Sequence, residues 1–223
     1  MQNQLLLEID NKIAAKSLLQ HPFYIAWTKG MLSRETLADY AQQYYHHVAA
    51  FPTYLSAVHA RTEDQPTRRM ILANLMDEEA GSPNHPELWL MFAGSLGLTT
   101  EGIKAASLYP ETQMLIDCFR NECGKGPVEG LTALYCYESQ IPAVSESKIA
   151  GLKEFYGMND PKGLAYFKVH IEADKVHSAV ERTCLESYIT DSTFPSASLT
   201  ADKTLGALYG MLDGVCDRHG IEC

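Results

Sequence analysis

From Ser33 onward, Leu37, Tyr40, Ala41, Tyr44, Tyr45, Val48 and Phe51 recur at three- and four-residue spacing, the period of a helix that buries one face. Gly30, Ser33 and Glu35 mark its start. Ile71, Leu72, Leu75 and Met76 form a second stripe over residues 65–79, opened by Pro66 and broken by Gly81, Ser82 and Pro83. The same period runs through residues 86–96, closed by Gly97, and through 111–122, 128–155, 161–190 and 201–218, with Pro142 expected as a kink inside 128–155. No stretch sustains the two-residue alternation of a strand. The pattern predicts an all-α bundle of seven or more helices, one domain over residues 1–223, with no linker rich in Gly, Ser or Pro and no visible repeat.

Composition narrows the class. The 223 residues are 46% hydrophobic, and 28 acidic against 18 basic side chains leave a formal charge of -10. Such a surface repels phosphate backbones, so no nucleic-acid partner is expected. Residues 40–60 carry no Asp, Glu, Lys or Arg, but Gln42, Gln43, His46, His47 and Pro52 disqualify them as a membrane span. Residues 1–10 lack the basic and apolar blocks of a signal peptide, so a cytoplasmic protein without a membrane partner is expected. Cys118, Cys123, Cys136, Cys184, Cys216 and Cys223 include no CxxC pair and are expected as reduced thiols.

The sharpest chemical signal is His170-x-x-x-Asp174-x-x-His177. At about 100° per residue the three side chains fall within roughly 60° of one another, one face carrying imidazole, carboxylate and imidazole. This is a usual donor set for non-haem iron and manganese, although the spacing alone fits a solvated stripe equally well. Glu138 lies in an apolar segment, where a carboxylate must reach water or meet a cation. Asp77, Glu78 and Glu79 precede a turn and then His85, so a Glu and a His can converge across Gly81 to Pro83; an ordinary acidic helix end reads the same way. Together Glu78, His85, Glu138, His170, Asp174 and His177 suit a helical two-metal carboxylate site, with His-x-x-x-Asp-x-x-His where ferritin-like proteins carry Glu-x-x-His.

The segments Asn74-Leu-Met-Asp-Glu-Glu79, Pro83-Asn-His85, Tyr135 to Pro142, Tyr166 to His177 and Ala50-Phe-Pro-Thr-Tyr-Leu-Ser-Ala57 resemble, with consistent spacing from Phe23 to His177, the family of the Chlamydia protein associating with death domains. That family belongs to the haem-oxygenase-like dimetal oxidases, relatives of the PQQ-synthesis oxidase and thiaminase II. The resemblance implies a haem-oxygenase-like bundle holding two metal ions, Fe/Fe or Fe/Mn, rather than haem or PQQ, with Glu78, His85, Glu138, His170, Asp174 and His177 matching all six ligand positions. It further implies use of O₂ and an external reductant, and a homodimer.

Family members are implicated in a folate-related route to para-aminobenzoate in which the protein consumes its own side chains. The positions that match are Tyr24 as ring donor, Tyr40 as a second redox tyrosine and Lys148 as amino donor. Nothing in its local sequence marks Lys148 as buried; ten residues beyond Glu138 it would stand about 15 Å along a straight helix and some 80° round it. Two other readings stay open: a dimetal oxidase acting on an external small molecule, and a protein-binding module of the death-domain-associating kind. Tyr44, Tyr45 and Tyr54 are expected as core packing, and His46, His47, His59 and Cys136 as structural.

Overall fold

Proline and polar caps set where the helices begin. The computed structural model describes residues 4–222, so Cys223 lies outside the described residues. Eleven α-helices and a short 3₁₀ turn make up the described chain: α1 (Gln4–Ala15), the 3₁₀ turn (Leu18–Gln20), α2 (Pro22–Thr28), α3 (Arg34–Arg61), α4 (Gln65–Glu79), α5 (His85–Ser95), α6 (Thr100–Lys104), α7 (Pro110–Lys125), α8 (Pro127–Glu138), α9 (Ile141–Glu154), α10 (Ala165–Tyr188) and α11 (Phe194–His219). There is no strand among them. Pro22, Pro66, Pro86, Pro110, Pro127, Pro142 and Pro195 all stand at the first or second position of a helix, where the missing N–H leaves no bond unmade. Ser33 caps α3 by accepting from the Thr36 N–H, and Asp64 caps α4 by accepting from that of Thr67.

Pro142 corrects the sequence reading of 128–155. Its ring excludes a bond to the Glu138 carbonyl, so the chain ends α8 at Glu138 and restarts as α9 instead of continuing as one kinked helix. Gln140 stitches the break: its Nε2 donates to the Cys136 carbonyl at 2.8 Å and its Oε1 accepts from the Leu18 N–H at 2.8 Å. The helix expected over 201–218 begins seven residues earlier, at Phe194, because Ser196, Ser198 and Thr200 interrupt the apolar stripe without interrupting the helix. Cys118, Cys123, Cys136 and Cys184 carry free thiols, whereas Cys216 is disulfide-bonded, which corrects the expectation of reduced thiols throughout.

The 28-residue α3 runs through the middle and packs against α4, α5, α7 and α8, while α10 lies on α8, α9, α5 and α4. Tyr40, Tyr54, Trp89, Phe92, Phe119 and Phe167 are fully buried between them. No helix among the described residues is long and apolar enough to cross a membrane.

Gly151 fixes how closely α9 approaches α2. A Cβ there would sit 2.7 Å from Cδ1 of Trp27, whose indole N–H donates to the Lys148 carbonyl at 3.3 Å. Gly151→Ala should therefore lower stability by about 1–3 kcal/mol, as overpacking does. Urea denaturation checks this; an unchanged midpoint would show that the helix pair gives way freely.

Candidate metal centre

Four helices deliver seven buried polar side chains to one region. Glu78 comes from the last turn of α4. The following turn, with a cis Ser82–Pro83 bond, leads to Asn84, whose side chain forms a capping box with Glu87 and starts α5 at His85. Glu138 is the last residue of α8, and α10 presents His170, Asp174, His177 and, one turn further, Glu181. Each is at most 6% exposed.

The expected six residues fall into two triads, Glu78–His85–His170 and Glu138–Asp174–His177, whose donor atoms lie within 4.8 Å of one another in each. Each triad can hold a metal ion. Nδ1 of His85 stands 2.8 Å from Oε1 of Glu78 without the alignment of a hydrogen bond, and Nε2 of His170 is 4.0 Å from the same oxygen. His170 pairs its other nitrogen with the Tyr166 carbonyl at 2.7 Å, which directs Nε2 into the site. Nδ1 of His177 is 3.6 Å from both Glu138 and Asp174, while its Nε2 meets Asp77 at 3.0 Å. Asn74 donates to both Glu138 oxygens, at 3.0 and 3.2 Å. One small void, overhung by Tyr137 and Tyr166, is bordered by Glu78 and His170 of the first triad and Glu138 and Asp174 of the second.

The donor atoms fit a pair of cations. His85 Nδ1, Asp174 Oδ2, His177 Nδ1 and both Glu181 oxygens are buried without a hydrogen-bond partner, a condition that costs several kcal/mol for charged groups unless a cation answers it. Burial raises the Glu78 carboxyl and pushes Asp174 up to about 8. Burial also holds His170 well below the usual imidazole range, the neutral form a metal needs, whereas, against burial, the neighbouring carboxylates raise His85 and hold His177 up at about 11, so metal binding there displaces a proton.

A second cluster sits beside the first. Lys148, 3% exposed, donates from Nζ to the Tyr40 hydroxyl at 2.7 Å, and that hydroxyl is 3.2 Å from the hydroxyl of Tyr24. Its Nζ lies 5.3 Å from the ring centre of Tyr24 and 5.0–5.8 Å from those of Tyr40, Tyr44, Trp27, Trp89 and Phe167. The break before Pro142 turns α9 inward and so supplies the burial that the local sequence does not announce. Tyr40 stacks on Tyr44 at 5.3 Å, Tyr44 shares a 2.7 Å hydrogen bond with Tyr137, and Tyr137 precedes Glu138 in sequence. Tyr166, beside them, stacks on His170 at 3.9 Å. Tyr44 thus joins the two clusters as well as packing. His47 is buried among Phe51, Tyr54, Phe119 and Tyr137 with neither ring nitrogen paired, away from both triads.

Sequence reading assigns no site role to Asn74, Asp77, Tyr137 or Glu181. Of these only Glu181 carries a legible signal: it extends His170, Asp174 and His177 by one more helical turn.

A family model described as "Iron-containing redox enzyme" matches residues 38–205. The chain is 42% identical over 223 residues to the 4-aminobenzoate synthase of Nitrosomonas europaea, covering 95% of this chain and 91% of that one. It is 41% identical over 218 residues to the 4-aminobenzoate synthase of Chlamydia trachomatis, covering 94% and 91%. The pyrroloquinoline-quinone synthase of Ectopseudomonas mendocina is a more distant relative, 24% identical over 225 residues, with 96% and 89% covered. Among solved structures, a TenA homologue from Pseudomonas syringae superposes with a TM-score of 0.83 at 15% identity (96% and 93% covered), and haem oxygenase-1 of Synechocystis in complex with haem with 0.67 at 13% (98% and 93%). These likenesses show a haem-oxygenase-like fold, as the sequence reading expects.

Burial pushes the Lys148 ammonium down to about 7, whereas the unfolded chain protonates it near 10.4. Between those values the unfolded chain binds the extra proton, so this residue adds stability as pH rises, by about 1.4 kcal/mol per unit. Relative to Lys148→Met, the metal-free wild type should be at its greatest disadvantage below pH 7 and recover on the order of 3–5 kcal/mol by pH 10. Urea denaturation of both proteins at pH 6, 8 and 10 checks this; parallel pH profiles would refute a neutral buried amine.

Proposed function

This chain belongs to the iron-containing redox enzymes of haem-oxygenase-like fold, and on that footing we propose that it forms 4-aminobenzoate from its own Tyr24, with nitrogen from Lys148, at two metal ions held by Glu78, His85, Glu138, His170, Asp174 and His177. The observation that carries the reading is the buried bond from Lys148 to Tyr40, one hydroxyl away from Tyr24 and beside two donor triads. Burying a lysine among six aromatic rings weakens the fold, and packing alone gives no reason for it.

Held by the two triads and kept reduced by an external donor, iron with iron or with manganese would bind and activate O₂, the oxidant of the reaction. The chain's own residues do the rest. Near neutral pH a large share of Lys148 is the free amine, whose lone pair makes it a nitrogen donor. Tyr40 accepts its hydrogen bond and orients it beside the Tyr24 ring. Breaking the bond between Cα and Cβ of Tyr24 frees the ring with Cβ, which O₂ oxidises to the carboxylate. The Lys148 nitrogen bonds to the ring carbon as the phenol oxygen leaves as water, and oxidation of its Cε–Nζ bond by O₂ followed by hydrolysis releases the amine and leaves an aldehyde at Cε. The bundle keeps bulk water from both clusters.

Tyr24 suits sacrifice better than Tyr40. It lies in the seven-residue α2, whereas Tyr40 belongs to the long α3 on which four other helices rest. Each chain then yields at most one product molecule, formed in the cytoplasm where a folate precursor is used.

Metal-free protein reloaded with Fe(II) and Mn(II) under reductant and exposed to O₂ should release less than one equivalent of 4-aminobenzoate by mass spectrometry. Tyr24→Phe should release none, Lys148→Arg at least about tenfold less, and His170→Ala should lose metal from the first triad as well as product. Two bound metals without product would sink the self-consuming chemistry and favour an external substrate.

A further inference from the structure

Glu181 is a buried carboxylate beside the two triads for which the six-residue ligand set has no use. With His170, Asp174 and His177 it follows positions i, i+4, i+7 and i+11 along one face of α10. It is 4% exposed, and neither of its oxygens has a hydrogen-bond partner. The charges that act on it most strongly are those of Glu138 and then Asp174, both negative. A carboxyl so placed either keeps its proton, against the neighbouring Glu138, or gives it up to a cation that stands close by.

Charge arithmetic points to which cation. Two divalent ions bring four positive charges, and Glu78, Glu138 and Asp174 answer three of them while the imidazoles answer none. A fourth carboxylate makes the buried centre neutral, and Glu181 is the one at hand. It also has room to turn. An apolar cavity of about 140 Å³, walled by Met70, Leu134 and Val180, reaches Glu181 and His177 at its polar end. The side chain can pivot there without displacing α10.

We propose that Glu181 is a seventh ligand, binding the metal held by Glu138, Asp174 and His177. This rests on the two-metal reading above. Titration of Mn(II) into the metal-free full-length protein tests it, followed by calorimetry, with a crystal structure of the Mn(II)-loaded wild type as the second readout. The wild type should take up two equivalents, and Glu181→Gln should keep one site unchanged while the other weakens by at least about tenfold, the lower bound known for groups that merely support a ligand. In the crystal structure a Glu181 oxygen should be bonded to the second ion.

Affinities in Glu181→Gln within about twofold of wild type at both sites would overturn the proposal, as would a loaded structure in which Glu181 stays outside the coordination sphere. If the variant fails to fold, the wild-type structure decides alone. A wild type that binds fewer than two ions fails the two-metal reading itself, which separates that failure from this one.

Discussion

Charge held away from water is the constraint on which the middle of this bundle depends. The fold contains both solutions to a buried carboxylate. Glu122, 1% exposed, is answered by protein groups: Lys125 at 2.5 Å, the Thr200 hydroxyl at 2.8 Å and Lys203 at 3.4 Å. Around Glu78, Glu138, Asp174 and Glu181 no such lysines arrive, and the groups that do are imidazoles and one amide. Four carboxyl groups against three imidazoles leave the cluster short of positive charge, which is what bound cations would supply. The turn before His85 and the end of α8, both set by local caps and prolines, bring those groups to one place.

Much of this was legible in the chain because the signals are local. Ser33, Pro66, Gly81 and Gly97 mark helix boundaries through bonds made within a few residues: α3 begins just after Ser33, α4 begins beside Pro66 and ends before Gly81, and α5 ends before Gly97. His170, Asp174 and His177 share a face by helix geometry alone. What the sequence withheld depends on neighbours distant along the chain. Lys148 is buried because a break at 139–140 redirects α9 against Trp27, more than a hundred residues earlier. Pro142 signals that something happens there but not whether the helix bends or ends, since that depends on Gln140 reaching Leu18. Asn74 and Asp77 look like ordinary surface residues of an acidic helix until Glu138 and His177 are set opposite them.

The two clusters are one piece of architecture. Tyr40 touches Lys148 by hydrogen bond and Tyr44 by stacking, Tyr44 bonds to Tyr137, and Tyr137 with Tyr166 overhangs the void between the triads. Ring faces and hydroxyls therefore give a continuous path of close contacts from the proposed metals to Tyr24. Phenols suit such a path, since they pack as hydrocarbons and still bond through oxygen. Burial raises the hydroxyl pKa of Tyr40, Tyr44, Tyr137 and Tyr166, so each keeps its proton at rest.

Tyr24 is 2% exposed, its ring edge-on against Phe23 at 5.5 Å and tilted against Trp27 at 6.4 Å. Under the proposed chemistry, a chain that surrendered that ring would keep its backbone but acquire a hole where an aromatic group stood, a loss of about 3–5 kcal/mol in comparable truncations. Against a typical folding margin of roughly 5–15 kcal/mol, the used protein would sit much nearer to unfolding than the fresh one. Spent copies would then be the ones that proteases find first, clearing the cell of exhausted chains and tying vitamin supply to the rate of translation.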